Sequence, residues 1–294
     1  MMFGGIEAGG TKFVLAVADD DLKIVVRKNL DTTQPETMMP LIIDFFMQHP
    51  VTALGIGSFG PIGVNPQQVD YGYIKKTPKP GWADYPFLPR LQDALNIPIY
   101  WTTDVNVAAY GEMLAGAAQG KKNLVYITVG TGIGAGIIAN GQIYSGISHP
   151  EVGHLLMHTL PDDHFAGVCP YHQYCLEGIA AGPAIAARNG RPGRDITRDD
   201  PFWQVEAYYL AQACVDLTLT LAPEMIVFGG GVANQQQLMP LIRSSFITQL
   251  NGYVDTPPVD NYIVHAGLGN DAGIVGSLLL AKSLVAKAVN APAV

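Results

Sequence analysis

The chain has 294 residues, of which 48% are apolar and 14% charged, and its formal net charge is −8. This length is enough for one large domain or two smaller ones with a substantial buried core. No cluster of Lys and Arg forms a surface for phosphate backbones, so we expect no nucleic-acid partner. No apolar run approaches the roughly 18 residues of a membrane span and no basic, signal-like segment opens the sequence, so we expect a cytoplasmic protein without a membrane partner.

The first part of the chain predicts alternating strands and helices and one long loop. Apolar, β-branched runs indicate short strands, and longer stretches with apolar residues at helical spacing indicate helices. The predicted strands are 3–8, 11–19, 22–29, 53–59 and 97–104. The predicted helices are 36–49, with Pro40 in the first turn, and about 105–117. Residues 61–86 are rich in Pro, Gly and Tyr and form a loop of a length that is usually functional when it is ordered.

The second part of the chain repeats some of this pattern. Strands are predicted over 123–130, 225–231 and 261–267, helices dominate before residue 222, and a last helix begins at Ala272. Both IEAGGTKFVLAV and ITVGTGIGAGII have the pattern of a strand, a Gly-rich turn and a strand. The alternation predicts an α/β fold. The similarity between these two segments predicts two related halves that each supply one Gly-rich turn to a shared cleft.

The two Gly-rich turns are candidates for phosphate binding. The first turn, Gly9–Lys12, resembles a P-loop in the spacing from Gly5 to Gly10. In a P-loop, however, Lys precedes Thr or Ser and a helix follows, whereas here Thr11 precedes Lys12 and no helix is predicted. The second, GTGIGAG at 130–136, lacks the glycine spacing of dinucleotide-binding folds. Hairpin turns whose backbone N–H groups and Thr11 and Thr131 hydroxyls face phosphate oxygens fit both segments. Two ordinary tight hairpins are the alternative, and a third Gly-rich segment, FGGGV at 228–232, favours phosphate binding.

Asp104 stands at the end of a predicted strand, within TTDVNVAAYGE. An isolated Asp at such a place would serve only as the N-cap of the following helix. Beside two phosphate-binding turns, however, a carboxylate at the end of a strand can accept the proton of a substrate hydroxyl. Phosphoryl transfer needs little beyond such positioning and the neutralisation of phosphate charge. Asp104 is therefore a candidate proton acceptor.

The segment 149–178 concentrates His and Cys, with five of the seven histidines and two of the three cysteines. Three cysteines make a poor disulfide framework, and Cys214 lies at helical spacing among apolar residues, as expected of an inert core thiol. The C-x₂-H-x₂-C run at 169–175 lets a short loop wrap one ion, and scattered polar loop residues are the weaker alternative. Four protein ligands leave no open position, so the site is predicted to be a structural Zn²⁺ site. Its ligands are His154, Cys169, His172 and Cys175.

Two carboxylates flank this segment, Glu151 in E-V-G-H and Glu177 in C-L-E. A solvated surface acid is the alternative reading for each. Held rigid by a metal-bound loop, they would accept hydrogen bonds from a polyol, because ionised carboxylates are pure acceptors.

Eight segments together resemble the ROK family (repressors, open reading frames, sugar kinases) and, within it, the bacterial fructokinases. They span nearly the whole chain: GGIEAGGTK, GSFGPIG, TDVNVAAYGE, TVGTGIGAG, HPEVGH, the Cys/His loop with CLE, AAGPAIAARNG and FGGGV. The resemblance implies an actin-like ATPase (ribonuclease H-like) fold of two α/β domains, with ATP and sugar in the cleft between them. We expect a small N-terminal domain over 1–116, completed by a C-terminal helix at about 283–294, and a larger domain over 117–282 that carries the zinc loop.

The same resemblance implies roles for particular residues. Asp104 would be the general base, and Mg²⁺ would accompany the co-substrate ATP. Sugar contacts or their supports are implied for Gly60, Pro61, Thr103, Glu151, His154 and Glu177. Nucleotide contacts are implied for Gly9, Gly10, Thr11, Lys12, Thr131, Gly132, Pro183, Gly229, Gly230, Gly231, Val232 and Ala233. His154 would then be both a metal ligand and a neighbour of the sugar.

Three positions depart from the commonest ROK pattern. Glu7 stands where the D-x-G-G-T motif has Asp, as in similar fructokinases, which shifts the expected contacts to magnesium or water. His172 replaces a Cys of the zinc loop found in many glucokinases of the family, and Thr103 replaces their Asn before the catalytic Asp. All three are fructokinase-like features. No helix-turn-helix precedes the first Gly-rich motif, which disfavours the repressor branch.

The sequence thus predicts an ATP-dependent hexose kinase that converts D-fructose to D-fructose 6-phosphate. A related manno- or glucokinase is the alternative among enzymes. A sugar-sensing or metal-binding module whose Cys/His loop docks a partner is the alternative outside them. Likeness to the family also implies a homodimer.

Overall fold

The computed structural model describes residues 1–289, which form two compact units. The first unit comprises Met1–Gly111, Ile143–His149 and the described residues from Asp271 onwards, and the second comprises Glu112–Gln142 and Pro150–Asn270. The sequence analysis predicted one domain over 1–116 with about 283–294 and a second over 117–282. These limits differ from those of the two units and stay a prediction. Residues 290–294 of the predicted C-terminal helix lie outside the described part of the chain.

The first unit is built on a five-stranded mixed sheet. Its strands are β1 (Phe3–Ala8), β2 (Lys12–Ala18), β3 (Ile24–Asp31), β4 (Ala53–Ser58) and β5 (Ile99–Thr103). Their order is β3-β2-β1-β4-β5, with β1, β2 and β3 antiparallel and β4 and β5 parallel to β1. Six of the seven residues of β2 are buried inside the sheet, whereas partly buried and exposed residues alternate along the edge strand β3.

Three helices accompany these strands: α1 (Pro35–Gln48), α2 (Phe87–Leu95) and α3 (Asp104–Ala115). α1 begins at Pro35, where the missing N–H of proline has no intrahelical partner to lose. The expectation that Pro40 lies in the first turn is therefore wrong. Pro40 is the sixth residue counted from Pro35 and therefore lies beyond the first turn, inside the helix.

The second unit contains another five-stranded sheet. Its strands are β6 (Leu124–Val129), β7 (Ile133–Ala139), β8 (Gln142–Ile143), β9 (Met225–Gly229) and β10 (Ile263–His265). The helices of this part of the chain are α4 (Leu176–Ala180), α5 (Gly182–Asn189), α6 (Phe202–Leu221), α7 (Leu238–Leu250) and α8 (Val259–Tyr262). The strand order β10-β9-β6-β7-β8 repeats that of the first sheet, each strand number being raised by five. The predicted α/β class and internal repeat are confirmed.

The predicted strand 261–267 is only partly formed. Asn261 and Tyr262 donate their N–H groups to the Pro258 carbonyl at 2.8 and 3.0 Å, which makes the short helix α8. The strand is reduced to β10 because Pro258 starts a helical turn and the buried Tyr262 hydroxyl lies 2.9 Å from Thr218 Oγ1.

The last helix, α9 (Ala272–Val289), packs against the first sheet across two glycines. A Cβ on Gly5 would lie 3.0 Å from Ile274 Cδ1, and a Cβ on Gly55 would overlap the Ser277 carbonyl. The glycines inside the opening strand thus serve the close approach of a helix. No helix in the described part of the chain is both long enough and apolar enough to cross a membrane.

Candidate active site

Asp104 is the first residue of α3, but the cap of this helix is the residue before it. Thr103 is buried, and its Oγ1 accepts the Asn106 N–H at 3.2 Å, which is the hydrogen bond of an N-cap. Asp104 Oδ1 accepts the adjacent Val105 N–H at 2.9 Å. The capping role thus falls to Thr103, and Asp104 stays partly exposed at the positive end of the helix dipole.

Asp104 and Glu7 are an electrostatically coupled pair of acids in the first unit. Burial, followed by the charge of Asp104, raises the pKa of Glu7 to about 7. Burial also raises the pKa of Asp104 to about 6, although backbone N–H groups and the charge of Lys79 act in the opposite direction. Glu7 Oε2 is buried without a hydrogen-bond partner among the described residues. Gly273 leaves room for this carboxyl group, because a Cβ there would lie 2.5 Å from Glu7 Cδ.

The first Gly-rich turn joins β1 to β2. The Gly9 N–H donates to the Lys12 carbonyl at 3.0 Å, and Gly10 and Thr11 are exposed between them. A Cβ on Gly9 would lie 2.8 Å from that carbonyl oxygen, so the tight turn requires glycine. The Gly10 carbonyl accepts a hydrogen bond from Lys79 Nζ at 2.8 Å. The turn is therefore exposed, and a cation lies beside it.

Gly60 and Pro61 follow β4 and are joined by a cis peptide bond. Both are exposed, and the next residue, Ile62, donates its N–H to His149 Nε2 at 3.1 Å. A Cβ on Gly60 would lie 3.4 Å from His149 Cε1. His149, to which the sequence analysis assigned no role, thus braces the segment expected to contact the sugar.

Three of the predicted nucleotide segments converge in the second unit. The Gly130–Gly132 turn closes by a 2.9 Å hydrogen bond from its first N–H to its last carbonyl. The Gly130 carbonyl also accepts the N–H of Gly182, the first residue of α5, at 2.7 Å. Val232 donates its N–H to the Val129 carbonyl at 2.9 Å. The exposed residues at this place are Thr131, Pro183 and Gly231.

The GGGV segment after β9 needs two of its glycines for close packing. Gly230 has a φ of +91°, and a Cβ there would lie 2.5 Å from the Val129 carbonyl oxygen. A Cβ on Gly229 would overlap the Tyr126 hydroxyl. Ala233 is buried, so the exposed backbone of this segment is confined to the residues before it.

Glu177 supports the second Gly-rich turn. Its Oε2 accepts the Ile133 N–H at 2.9 Å, and a Cβ on Gly132 would lie 2.6 Å from the same oxygen. Gly153, in the E-V-G-H segment, has no space for a side chain because a Cβ would overlap the Ile133 carbonyl. Glu151 is exposed in this segment. The sugar contacts assigned to Glu151 and Glu177 stay predictions.

The four predicted metal ligands lie together in the second unit, with all their ligand atoms within 4.8 Å of one another. His154 Nδ1 lies 3.9 Å from Cys169 Sγ and 3.7 Å from Cys175 Sγ. His172 Nδ1 lies 3.9 Å from Cys169 Sγ. Two thiolates and two imidazoles so arranged fit a tetrahedral Zn²⁺ ion with bonds of about 2.3 Å to sulfur and about 2.0 Å to nitrogen. Burial, with a contribution from Cys169, raises the pKa of the Cys175 thiol to about 11, so its ionisation requires a cation.

The loop that carries these ligands is tied to neighbouring elements. Leu176 and Met157 donate their N–H groups to carbonyls across the loop, each at 2.9 Å. Asp163 in the loop pairs with Arg188 Nη1 of α5 at 2.6 Å and accepts the Tyr209 hydroxyl of α6 at 2.5 Å. The predicted core thiol Cys214 is buried inside α6. The loop from His154 to Cys175, which we call the metal loop after its candidate ligands, is therefore held both by its own backbone hydrogen bonds and by an ion pair to α5.

Two sheets of equal strand order, each with a Gly-rich hairpin turn, are the architecture of an actin-like ATPase fold. Residues 3–284 match the ROK family, and the chain belongs to this family. The structure of a ROK hexokinase from Thermus thermophilus matches with a TM-score of 0.81 at 28% identity, covering 98% of this chain and 100% of that one. The predicted family and fold are thereby confirmed.

Relatives named fructokinase align with almost the whole chain. That of Pediococcus pentosaceus is 53% identical over 288 residues, which are 98% of this chain and 100% of the relative. That of Lactococcus lactis subsp. cremoris is 48% identical over 288 residues, which are 97% of this chain and 98% of the relative. A glucokinase of Halalkalibacterium halodurans is 32% identical over 261 residues, 78% of this chain and 76% of the relative. The chain is thus more similar to these fructokinases than to this glucokinase.

Three residues near the predicted site segments escaped the sequence analysis. Lys79 lies in the long loop, where a single cation between two prolines was the only signal. His149 is adjacent to the E-V-G-H segment, but its partner Ile62 lies 87 positions away. Arg188 pairs with an acid 25 positions away. Their contacts depend on how distant loops pack, and no local pattern records that.

Proposed function

We propose that this protein is an ATP-dependent hexose kinase that phosphorylates D-fructose to D-fructose 6-phosphate. Membership of the ROK family and the likeness to a ROK hexokinase support the sugar-kinase activity. The observation that carries the choice of sugar is the alignment of almost the whole chain with fructokinases at 53% and 48% identity. The glucokinase relative aligns at lower identity and over less of the chain.

Asp104 is the general base in this proposal. With a pKa of about 6, its carboxylate is largely ionised at neutral pH and accepts the proton of the 6-hydroxyl as that oxygen attacks the γ-phosphorus in line. The positive end of the α3 dipole favours the ionised form. Because Thr103 caps the helix, proton acceptance by Asp104 does not require α3 to lose its cap.

The two Gly-rich turns bind the phosphates of ATP. The backbone N–H groups of Gly10 and Thr11 in the first turn and of Thr131 and Gly132 in the second, with the two threonine hydroxyls, face the phosphate oxygens and stabilise the charge that develops during transfer. The further nucleotide contacts are Pro183, Gly229, Gly230, Gly231, Val232 and Ala233. The hydrogen bonds that tie Gly182 and Val232 to the second hairpin support this assignment.

The fructose site is assigned to the residues for which the family resemblance implies sugar contacts. Gly60 and Pro61, braced by His149, are proposed sugar contacts. Thr103 is proposed as a sugar contact or its support, because within the described part of the chain its Oγ1 accepts only the Asn106 N–H and its own O–H stays available as a donor. Glu151, His154 and Glu177 complete the assignment, and the bond from Ile133 to Glu177 ties the sugar site to the second Gly-rich turn.

Two metal ions belong to the proposal. Mg²⁺ would accompany ATP, with Glu7 as a candidate ligand, directly or through water, because its unpartnered Oε2 is the kind of oxygen that this ion prefers. When bound, Mg²⁺ would neutralise charge on the β- and γ-phosphates. Zn²⁺ would be held by the cluster of two His and two Cys side chains as a structural ion, and the loop that it orders precedes Glu177.

A panel of hexoses tests the proposed reaction. With ATP and Mg²⁺, we expect ADP release to depend on hexose, with the highest kcat/KM for D-fructose and fructose 6-phosphate as the product identified by ³¹P NMR. Asp104→Asn should lower kcat by about 1,000-fold or more, because the amide cannot accept the proton. Circular dichroism and thermal unfolding of the variant verify that its fold is intact.

The same panel distinguishes the alternatives. A higher kcat/KM for mannose or glucose would make the protein a manno- or glucokinase. Hexose binding without any ADP release would favour a sugar-sensing module. Near-normal turnover by Asp104→Asn would remove Asp104 as the base while leaving the kinase activity in place.

The proposal also includes the setting in which the enzyme works. The partners are a small-molecule sugar and ATP, without nucleic acid or membrane, and the location is the cytoplasm. Likeness to the family supports a homodimer. Sedimentation velocity measures the oligomeric state directly.

A further inference from the structure

We propose that Lys79 is a phosphoryl-binding residue, whose ammonium group beside the first Gly-rich turn binds an oxygen of the transferring phosphoryl group and of the phosphorylated product. This inference rests on the proposed kinase function and deepens it, because none of the motifs that indicated the function includes Lys79. Its basis is the position of the side chain in the first unit.

The loop that carries Lys79 is tied to neighbouring segments through Trp82. Lys79 donates its N–H to Thr77 Oγ1 at 3.4 Å, and its carbonyl accepts the Trp82 N–H at 3.2 Å. Trp82 is 1% exposed, and its Nε1 donates to the Thr33 carbonyl at 2.7 Å. The Trp82 ring packs edge-on against Phe59, with the ring centroids 5.7 Å apart. These contacts fix the backbone at Lys79 in the absence of substrate, so its side chain has less conformational freedom to lose on binding.

The ammonium group of Lys79 is only partly satisfied by the protein. Nζ donates to the Gly10 carbonyl at 2.8 Å and lies 5.1 Å from the centroid of the Phe59 ring. An ammonium has three N–H donors, and a cation–π contact adds attraction without supplying a lone pair along an N–H bond. Within the described part of the chain no carboxylate forms an ion pair with this amine. The cation therefore retains donors for an anionic oxygen.

The place of this amine suits a phosphoryl oxygen. The Gly10 carbonyl is a negative dipole in a turn whose N–H groups are assigned to phosphates, and Lys79 offsets that dipole with a full positive charge. A Cβ on Gly10 would lie 2.8 Å from Nζ, so glycine at this position permits the approach. Hydrogen bonds from ammonium to phosphate are charge-assisted and about twice as strong as neutral ones.

Lys79 also acts on the proposed base. Its positive charge favours the ionised form of Asp104, while burial lowers the pKa of Lys79 itself and the charge of Asp104 raises it. The other acid coupled to Asp104 is Glu7 on β1. The remaining charged groups that act on this pair, through Glu7, are Lys12, Arg27 and Asp271. Replacing Lys79 by a neutral residue should therefore raise the pKa of Asp104, because the replacement removes a nearby positive charge.

Three variants of the protein test the inference: Lys79→Met, Lys79→Arg and, as a matched control, Lys76→Met, which changes an exposed lysine of the same loop. For Lys79→Met we expect kcat to fall on the order of 100-fold. The acidic limb of the kcat/KM profile should move to higher pH. In calorimetric titrations without nucleotide, the affinity for fructose 6-phosphate should fall about tenfold, while that for fructose stays within about threefold.

Lys79→Arg should restore the position of the acidic limb, since it keeps the charge, and Lys76→Met should behave as the wild type. If Lys79→Met weakened fructose and fructose 6-phosphate equally and left the acidic limb unmoved, Lys79 would be only a loop anchor and the inference would be overturned. Failure of the proposed function has a different signature. The wild type would then release no ADP with any hexose, and both proposals would fall together.

Discussion

Asp104 and Glu7 show how desolvation, together with neighbouring charges and hydrogen bonds, assigns different protonation states to two similar side chains. Burial raises the pKa of Asp104 to about 6 and that of Glu7 to about 7, from ordinary values of 3.8 and 4.5. Between these two values Asp104 is mostly ionised while Glu7 is mostly protonated. In the folded state both groups bind protons more tightly than in the unfolded chain. The free energy of unfolding therefore falls as the pH rises from about 4 towards 7.

Replacing Glu7 by Gln tests this balance. The wild type loses stability when Glu7 ionises. The free energy of unfolding of Glu7→Gln, relative to that of the wild type, should therefore be higher at pH 8 than at pH 5.5. The difference between variant and wild type should change by on the order of 2 kcal/mol over that range. Urea unfolding at both pH values measures it. Asp93→Asn, at an exposed position of α2, serves as the control. Equal behaviour of Glu7→Gln and Asp93→Asn would contradict the pKa shift.

Helix α5 is the element that joins two predicted parts of the second unit. Its first residue, Gly182, bonds to the Gly130 carbonyl of the Gly-rich turn, and near its other end Arg188 pairs with Asp163 of the metal loop. Burial opposes the ionisation of Asp163, but the hydrogen bonds from Arg188 and Tyr209 outweigh it and lower its pKa. Side chains only 15% and 9% exposed make this a buried ion pair. We therefore expect α5 and the metal loop to move as one body.

Breaking this pair should cost much more than breaking a surface pair nearby. Arg188→Met leaves the Asp163 carboxylate without its partner, and we expect a loss of about 3 kcal/mol in the free energy of unfolding. Arg191→Met, which removes a more exposed pair with Asp200, should cost less than about 1 kcal/mol. Urea unfolding at pH 7 compares the two variants. Equal losses would show that the Arg188 pair does not anchor the loop.

In the described part of the chain each unit contains one sheet, and the two sheets share a strand order and have separate apolar cores. All four proposed zinc ligands belong to the second unit. Because a structural ion contributes its binding free energy to folding, its loss should weaken the second unit before the first. The effect of the ion is thus expected to be regional.

Removal of zinc tests this expectation. Metal analysis should find about one ion per chain, and chelation should lower the melting temperature. Hydrogen exchange should then show faster exchange between residues 150 and 180, while the amides of β1 and β2 keep their protection. Cys169→Ser should reduce the zinc content, and the control Cys214→Ala, at a core thiol of the same unit, should retain it. A stable protein without metal, or equal loss of protection in both units, would refute the prediction.

Local patterns in the sequence determined much of this protein. The strand and helix positions follow from apolar periodicity, the internal repeat from two strand–turn–strand segments, and the cluster of His and Cys side chains from their spacing in the sequence. These features were predictable because each depends on residues close together in the chain or on a family motif. Patterns of this kind also pointed to Asp104 and to the two Gly-rich turns.

Only the tertiary structure decided which neighbour each of these residues has. It gave the cap of α3 to Thr103, brought Lys79 to the carbonyl of Gly10 across 69 positions, and paired Arg188 with Asp163. It also showed that the glycines of the opening strand make room for α9. Such contacts arise from the packing of segments far apart in the chain. Their energies depend on burial and on partner distance, and neither quantity exists until the chain has folded.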